Sequence, residues 1–168
     1  MLETVQPQLP LGNLSKIVFA SDSIIYLVDV NTNELTKLAQ VDEVVCCPRW
    51  SPDRQKIAFA IGWGMHYGVY EVDTDGSNLN RLTYIQRTDG EGPPLVPVWS
   101  QDGQQIDFVY GNTWPVDEDS SPDGQRIAFV VRKVENDEPV ADLYVKNADG
   151  TDVTELTATP LSIWGIDW

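Results

Sequence analysis

The segment Trp50–Phe59 reads Trp-Ser-Pro-Asp-Arg-Gln-Lys-Ile-Ala-Phe, and two variants follow at Trp99–Phe108 (WSQDGQQIDF) and Ser120–Phe129 (SSPDGQRIAF). The middle of each copy is rich in Pro, Asp and Gly, which favour tight turns. The end of each copy carries Ile and Phe two residues apart, as in a strand. Each copy therefore predicts a strand, a tight turn and a second strand.

The acidic residue of each turn has a structural explanation. Asp53, Asp102 and Asp123 are expected to accept hydrogen bonds from the backbone of their own turn, while the Gly that follows tolerates a positive φ. Arg54 replaces that Gly in the first copy. We interpret these aspartates as turn formers rather than ligands.

The spacing of the copies gives a repeat length. Trp50 and Trp99 are 49 residues apart, and Ser120 and Trp168 are 48 apart, whereas Trp99 and Ser120 are separated by only 21. The short interval indicates half a repeat. A fixed period in the forties with several short strands per period is typical of a β-propeller.

The sequence thus predicts an all-β fold built from propeller-type blades of four antiparallel strands. Residues 1–13 are expected to form an extended leader and residues 14–168 a single propeller-like domain. About three to four blade units are expected, at about 14–42, 43–94, 95–119 and 120–168, with the third cut short. The terminal strand at Ser162–Trp168 is expected to close the first blade, which lacks a first strand of its own.

Composition restricts the partners. With 26 acidic and 11 basic residues the net charge is −15, which disfavours nucleic acid and anionic membranes. Neither a signal peptide within residues 1–13 nor a run of transmembrane length is evident. The compartment stays open: periplasmic or secreted if a signal peptide has been removed, otherwise cytoplasmic. Cys46 and Cys47 are neighbours whose side chains would point to opposite faces of a strand, so we predict two ordinary buried thiols.

The repeat also carries a family likeness. The pattern W-S-P-D-G-x-x-I-A-F, followed by a Tyr-Val-x-Asp strand, an Asp-Gly hairpin and an R-L-T exit, resembles the propeller repeats of TolB and of prolyl-oligopeptidase-type propeller domains. The likeness covers about residues 14–168. It implies a scaffold fold found in periplasmic proteins and in peptidase gating domains, and TolB-like propellers have six blades.

Because this chain holds about half of six blades, we expect its ring to be completed by something else. The leading hypothesis is a homodimer in which each chain lends its terminal strand to the other. The alternatives are a four-bladed monomer with one two-stranded blade, and a fragment of a larger protein. In function, we expect a non-enzymatic binding or assembly scaffold that acts on a protein partner. The alternative is an accessory propeller of a peptidase-type hydrolase whose catalytic domain lies outside this chain.

One hairpin resembles the opening of a calcium loop. Asp73, Asp75 and Asn78 lie in DTDGSN, which has the oxygen ligands that calcium prefers. The distal Glu of an EF-hand is missing, however, and an Asp-Gly hairpin explains the same residues. No cofactor is therefore expected, with calcium as the alternative.

The segment Gly62–Gly68 (GWGMHYG) is a candidate binding loop. Its three glycines suggest mobility, and Trp63, His66 and Tyr67 offer flat amphipathic surface. The simpler interpretation is local packing between blades. His66 is the only histidine, and no standard catalytic motif accompanies it.

A second candidate region surrounds the shortened repeat. Asp107 stands where the other copies have Ala58 and Ala128, on an otherwise apolar face. A buried unpaired carboxylate would be costly, so this face is expected to meet solvent, a cation or a partner chain. The polar and aromatic residues that follow are candidate binding residues as well: Trp114, Asp117, Glu118 and Asp119. The simpler interpretation is a solvated loop left by a deleted half-repeat.

Overall fold

The computed structural model describes residues 13–62, 66–86, 95–110, 117–135, 138–157 and 161–168. In these ranges the strands are β1 (Lys16–Ser21), β2 (Ile24–Asp29), β3 (Leu35–Gln40), β4 (Val45–Trp50), β5 (Lys56–Ile61), β6 (His66–Asp73), β7 (Asn80–Arg81), β8 (Ile85–Gln86), β9 (Leu95–Trp99), β10 (Ile106–Tyr110), β11 (Glu118–Ser120), β12 (Arg126–Glu135), β13 (Glu138–Asn147), β14 (Thr154–Glu155) and β15 (Ile163–Asp167). Among the described residues no helix is both long and apolar enough to cross a membrane.

The strands form four antiparallel sheets. The first has the order β15-β1-β2-β3, the second β4-β5-β6-β7 with β8 also paired to β6, the third β9-β10, and the fourth β11-β12-β13-β14. The all-β class and the four-stranded sheets are as predicted. The predicted unit boundary between residues 119 and 120 falls inside β11, because the fourth sheet takes its inner strand from Glu118–Ser120.

The terminal strand completes the first sheet within the same chain. β15 pairs antiparallel with β1, with Val18 opposite Asp167 and Ser21 opposite Ile163. Closure of the first blade by the terminal strand is therefore confirmed. The structure describes four sheets, one of them two-stranded over the described residues. Whether the chain is a monomer or a homodimer stays a prediction.

The turns follow the predicted chemistry. Asp53 Oδ1 accepts hydrogen bonds from Ser51 Oγ at 2.6 Å and from the Gln55 backbone N–H at 3.1 Å. The turns around Asp102 and Asp123 repeat both bonds. Arg54, in the Gly position of the first copy, has φ = 61°. The turn role of these aspartates accounts for the Ser-x-Asp spacing of the repeat.

The first, second and third sheets each pack their Ile-Phe side on a neighbouring sheet. In the second sheet, Ile57 and Phe59 of β5 are fully buried. They pack with Val18 and Ala20, which lie on one face of the first sheet. Alternation along β1 sends Ile17 and Phe19 to one face of the first sheet and Val18 and Ala20 to the other, so this strand takes part in two junctions between sheets. The structure therefore explains why both faces of these strands are apolar.

The same rule builds the other two junctions. Phe19 of the first sheet packs with Ala128 and Leu143 of the fourth, while Phe108 of the third packs with Ala60 of the second. Over the described ranges the sheets thus follow one another in space as fourth, first, second and third. No apolar cluster in those ranges joins the third sheet to the fourth. We call the two uncovered sides the open faces.

The open faces carry the exceptions to the apolar rule. On the third sheet, Asp107 is exposed and lies opposite Val98, which is 45 % exposed. On the fourth sheet, Ile127 and Phe129 are only half-buried, and Val131 is 39 % exposed. The expectation that Asp107 avoids burial agrees with its place on an open face.

The two cysteines depart from the sequence expectation. The register between β4 and β5 shifts between Cys46 and Arg49, and Cys47 has φ = 56°. An extra residue of this kind is a β-bulge, which interrupts the alternation of side chains. The sulfur atoms of Cys46 and Cys47 consequently lie 2.8 Å apart, which corrects the prediction that they point to opposite faces.

Candidate functional site

Carboxylates link the innermost strands of three sheets. Asp119 Oδ2 accepts the backbone N–H of Trp168 at 2.9 Å, joining the fourth sheet to the first. Asp167 Oδ2 accepts the backbone N–H of Trp50 at 2.7 Å, joining the first sheet to the second. Each Asp comes directly before the Trp position of its own repeat. The two bonds are therefore equivalent contacts in successive sheets.

Asp167 lies in an unusual electrostatic setting. Burial raises the pKa of its carboxyl to about 6, although the Trp50 N–H and Arg49 lower it and the charge of Asp119 raises it further. Arg49 Nη1 lies 3.9 Å from Asp167 Oδ1. The inner strands thus hold a carboxyl that gains a proton at mildly acidic pH.

Arg49 and Asp167 were not among the residues predicted from sequence, and Asp119 was predicted for a different reason. The available signal was their shared position, one residue before the repeat's Trp or its Ser120 substitute. The partners themselves are 117 residues apart in the chain for Trp50 and Asp167. A pattern confined to one repeat cannot identify such a pair.

A broad groove of about 1240 Å³ is lined by residues of the second and third sheets and extends to Val98 and Asp107 on the open face of the third. Its acidic lining consists of Asp53, Glu71, Asp73, Asp75 and Asp107. The structure therefore brings together three residues that the sequence had assigned to two separate candidate sites.

The rest of the groove lining is mixed. Lys56 is its one basic residue among those described, and its Nζ lies 3.1 Å from Glu71 Oε2. Leu82, Val98 and Trp99 add apolar and aromatic surface. The indole N–H of Trp99 donates to the Arg49 carbonyl at 3.1 Å, which fixes the ring at this junction. The groove combines negative charge with a rigid apolar wall.

The hairpin proposed for calcium is held by its own hydrogen bonds. Asp75 Oδ1 accepts the backbone N–H and the hydroxyl of Ser77, at 2.8 Å and 2.5 Å, and these bonds lower the pKa of Asp75. Asp73 Oδ2 accepts from the Asn78 amide at 2.8 Å. In the described part of the chain no three His, Cys, Asp or Glu side chains are grouped to hold a metal ion. The hairpin interpretation accounts for these bonds.

The described part of the candidate loop after residue 65 belongs to strand β6. Trp63 lies outside the described residues, and the backbone of His66 already belongs to β6, opposite Gln86. Tyr67 is 2 % exposed and packs in the core between the second and third sheets, which corrects the expectation of an exposed binding surface. A Cβ on Gly68 would lie 2.6 Å from the Thr83 carbonyl oxygen. That glycine permits close packing rather than loop mobility.

The residues after the shortened repeat lie apart from the groove. Trp114 falls outside the described residues. Asp117 forms an ion pair with Arg132, at 2.6 Å between Oδ1 and Nη2, and Glu118 is exposed on β11. The described members of the predicted cluster therefore have three different surroundings: Asp117 is in an ion pair, Glu118 is exposed to solvent, and Asp119 bonds to the Trp168 N–H.

The scan against protein-family models found no match. Among solved structures, the chain is similar to TolB from Acinetobacter baumannii (17 % identity, TM-score 0.44), covering 85 % of this chain and 41 % of that one. It is also similar to a putative TolB from Agrobacterium tumefaciens (18 %, TM-score 0.34; 83 % and 43 % covered). An oligogalacturonate lyase in complex with manganese is a further neighbour (16 %, TM-score 0.38; 84 % and 32 % covered).

This chain thus spans less than half the length of each of these three proteins. TolB proteins, which the repeat motif resembles, are among the similar structures. These likenesses concern the fold alone, and the assignment of propeller-type sheets rests on the strand order and packing described above.

Proposed function

We propose that this chain is a non-enzymatic propeller-type binding module that holds a positively charged, extended segment of a protein partner in the groove lined by its second and third sheets. The observation that supports this most directly is the groove itself, with five carboxylates and one lysine on a wall that includes Trp99. Its volume of about 1240 Å³ exceeds the roughly 300–1,000 Å³ typical of small-molecule pockets.

The carboxylates suit cation attraction better than proton transfer. Asp53, Asp73 and Asp75 each accept hydrogen bonds within their turns. For Asp75 the bonds from Ser77 lower the pKa of the carboxyl and so favour its ionised form. A carboxylate that stays ionised attracts cations without taking up a proton itself. The net charge of −15 extends this attraction beyond the groove and would accelerate encounter with a basic partner.

The apolar wall supplies the second element of recognition. Lys and Arg side chains lay their aliphatic stems on apolar surface while their charges reach outward. Val98, Leu82 and Trp99 offer such surface beside the acids. An extended basic segment would therefore match both features of the groove.

The test is titration of the chain with a synthetic lysine-rich peptide, followed by calorimetry at two salt concentrations. Asp75→Asn and Asp107→Asn should each weaken binding about threefold, since an exposed charge pair contributes roughly 0.2–1 kcal/mol. The matched control is Asp149→Asn, because Asp149 makes the same bond to Thr151 in the fourth sheet's hairpin that Asp75 makes to Ser77. Equal losses in all three variants, or no binding at low salt, would contradict the proposal.

Self-association is a second candidate function, and the open faces favour it. The half-buried Ile127 and Phe129 occupy positions that are fully buried in the first two sheets, as in Ile17 and Phe19. A second copy could cover them, which would be a homodimer of a different kind from the predicted one, since no terminal strand is exchanged. Sedimentation equilibrium over a wide concentration range tests this, and Phe129→Lys should lower any measured association. A monomer at all concentrations would exclude it without affecting the peptide result.

A further inference from the structure

Cys46 and Cys47 are placed in a geometry that ordinary strand neighbours do not have. The β-bulge between Cys46 and Arg49 and the left-handed backbone at Cys47 turn the two sulfur atoms toward each other, 2.8 Å apart. A left-handed conformation is uncommon for a residue with a side chain. The bulge therefore holds two thiols ready to react as a pair.

The two thiols differ in access. Cys46 is half-buried and packs against the cluster between the second and third sheets, whereas Cys47 is 2 % exposed. The hydrogen bond between the two thiols, together with burial, raises the pKa of Cys46, whereas that bond and the charge of Arg49 lower the pKa of Cys47 against the opposing effect of burial. The pair therefore combines an approachable sulfur with a neighbour that ionises more readily than an ordinary thiol.

We propose that Cys46 and Cys47 form a redox-active pair that closes reversibly into a vicinal disulfide on reaction with a low-molecular-weight disulfide. Cys46 transfers its proton to the ionised Cys47 sulfur, 2.8 Å away, and attacks the oxidant, forming a mixed disulfide and releasing one thiolate. Cys47 then loses its proton and attacks the Cys46 sulfur, displacing the second thiolate. The two released thiolates take up the two protons, so two protein thiols and one disulfide yield one protein disulfide and two small thiols.

Ring geometry indicates a switch rather than a permanent crosslink. Neighbouring Cα atoms across a trans peptide are about 3.8 Å apart, whereas ordinary disulfides span about 4.4–6.8 Å. A disulfide between neighbours is therefore strained and readily reduced. Its closure would act on the backbone leading to Arg49, whose carbonyl accepts the Trp99 indole N–H.

The experiment treats the reduced full chain with increasing oxidised glutathione and measures its intact mass. The expected product has lost two hydrogen atoms, carries no glutathione, and returns to the starting mass with dithiothreitol. Digestion with trypsin should place the change in the peptide Leu38–Arg49, which contains both cysteines. A stable glutathione adduct on the native chain, or chains linked to each other, would overturn the proposal.

Single substitutions separate the two roles. Cys47→Ser should retain glutathione on Cys46, because no neighbour displaces it, and Cys46→Ser should react more slowly than Cys47→Ser. Phenylarsine oxide provides a test that needs no variant, since it binds two adjacent thiols with loss of one water. One equivalent should bind the folded native chain and block its oxidation. No binding, or equally fast adduct formation in both variants, would also overturn the proposal.

Discussion

Phe59 in the second sheet and Phe129 in the fourth occupy the same position of the repeat, and each stacks on a tyrosine of the next strand. The ring centroids are 5.5 Å apart for Phe59 and Tyr70, and 5.7 Å apart for Phe129 and Tyr144. Phe59 is nevertheless fully buried by the first sheet, whereas Phe129 is half-buried and lies under the Lys146 ammonium at 4.8 Å. The repeat sequence determines the hairpin and the stack, while the neighbouring sheet determines how much that stack stabilises the fold.

Ala58 and Asp107 show the same contrast on the other side of the sheets. Ala58 is fully buried in the second sheet, and Asp107 is exposed on the open face of the third. A methyl group is required where another sheet follows, and a carboxylate is accepted where none does in the described structure. The residue at this position therefore indicates whether another sheet packs on that face of its sheet.

Exchanging these two residues should give the largest effect. Ala58→Asp places a carboxylate at a fully buried position, opposite both Arg49 and Glu71, and we expect it to cost about 4–5 kcal/mol of unfolding free energy at neutral pH. The loss should be smaller at pH 4, where the carboxyl can be neutral. Asp107→Ala should change the unfolding free energy by less than about 0.5 kcal/mol. Urea denaturation followed by circular dichroism measures both, and similar losses would contradict the contrast.

Truncating the two phenylalanines should give the next largest effect. Phe59→Ala removes a fully buried ring between two sheets and should cost about 3–5 kcal/mol. Phe129→Ala should cost less than half as much, because part of its ring is already in contact with water. The same denaturation curves provide the comparison. Equal costs at low protein concentration would show that Phe129 is as well covered as Phe59.

The smallest expected effect concerns pH. The folded-state pKa of Asp167 is raised to about 6, above its unfolded value of 3.8, so the folded chain binds more protons than the unfolded chain between these values. Its contribution to stability is therefore full below about pH 4 and declines as the pH rises to about 6, by at most roughly 3 kcal/mol. Thermal melts across this range should show that decline in the native chain and a flatter profile in Asp167→Asn.

Asp119→Asn is the control for this effect. Because the charge of Asp119 raises the pKa of Asp167, its removal should move the decline to lower pH rather than abolish it. An unchanged pH profile in Asp167→Asn would show that the decline comes from other groups. The turn aspartates do not interfere in this window, since hydrogen bonds lower the pKa values of Asp102, Asp123 and Asp149 and their contributions are lost only at lower pH.

Local chemistry made the strands, the Ser-x-Asp turns and the truncated third unit predictable. Each depends on residues within a few positions of one another, such as Ser51 and Asp53. The closure by β15 was also predictable, because the first unit lacked a strand. Contacts between sheets were not, since nothing within a repeat indicates that Asp167 receives the Trp50 N–H. The burial of Tyr67 was not predictable either, because it depends on β6 beginning at His66. The facing thiols of Cys46 and Cys47 depend on a β-bulge, which simple alternation of side chains does not predict.

The pairing of β1 with β15 has a consequence for biosynthesis. Residues 16–21 leave the ribosome well before their inner partner, residues 163–167, has been translated. Until then β1 presents an unpaired edge, the kind of surface that invites association between nascent chains. The long sequence separation also predicts slow final folding, because a large loop must close before the pairing contributes any stability. The first blade can therefore be completed only after residues 163–167 have been translated.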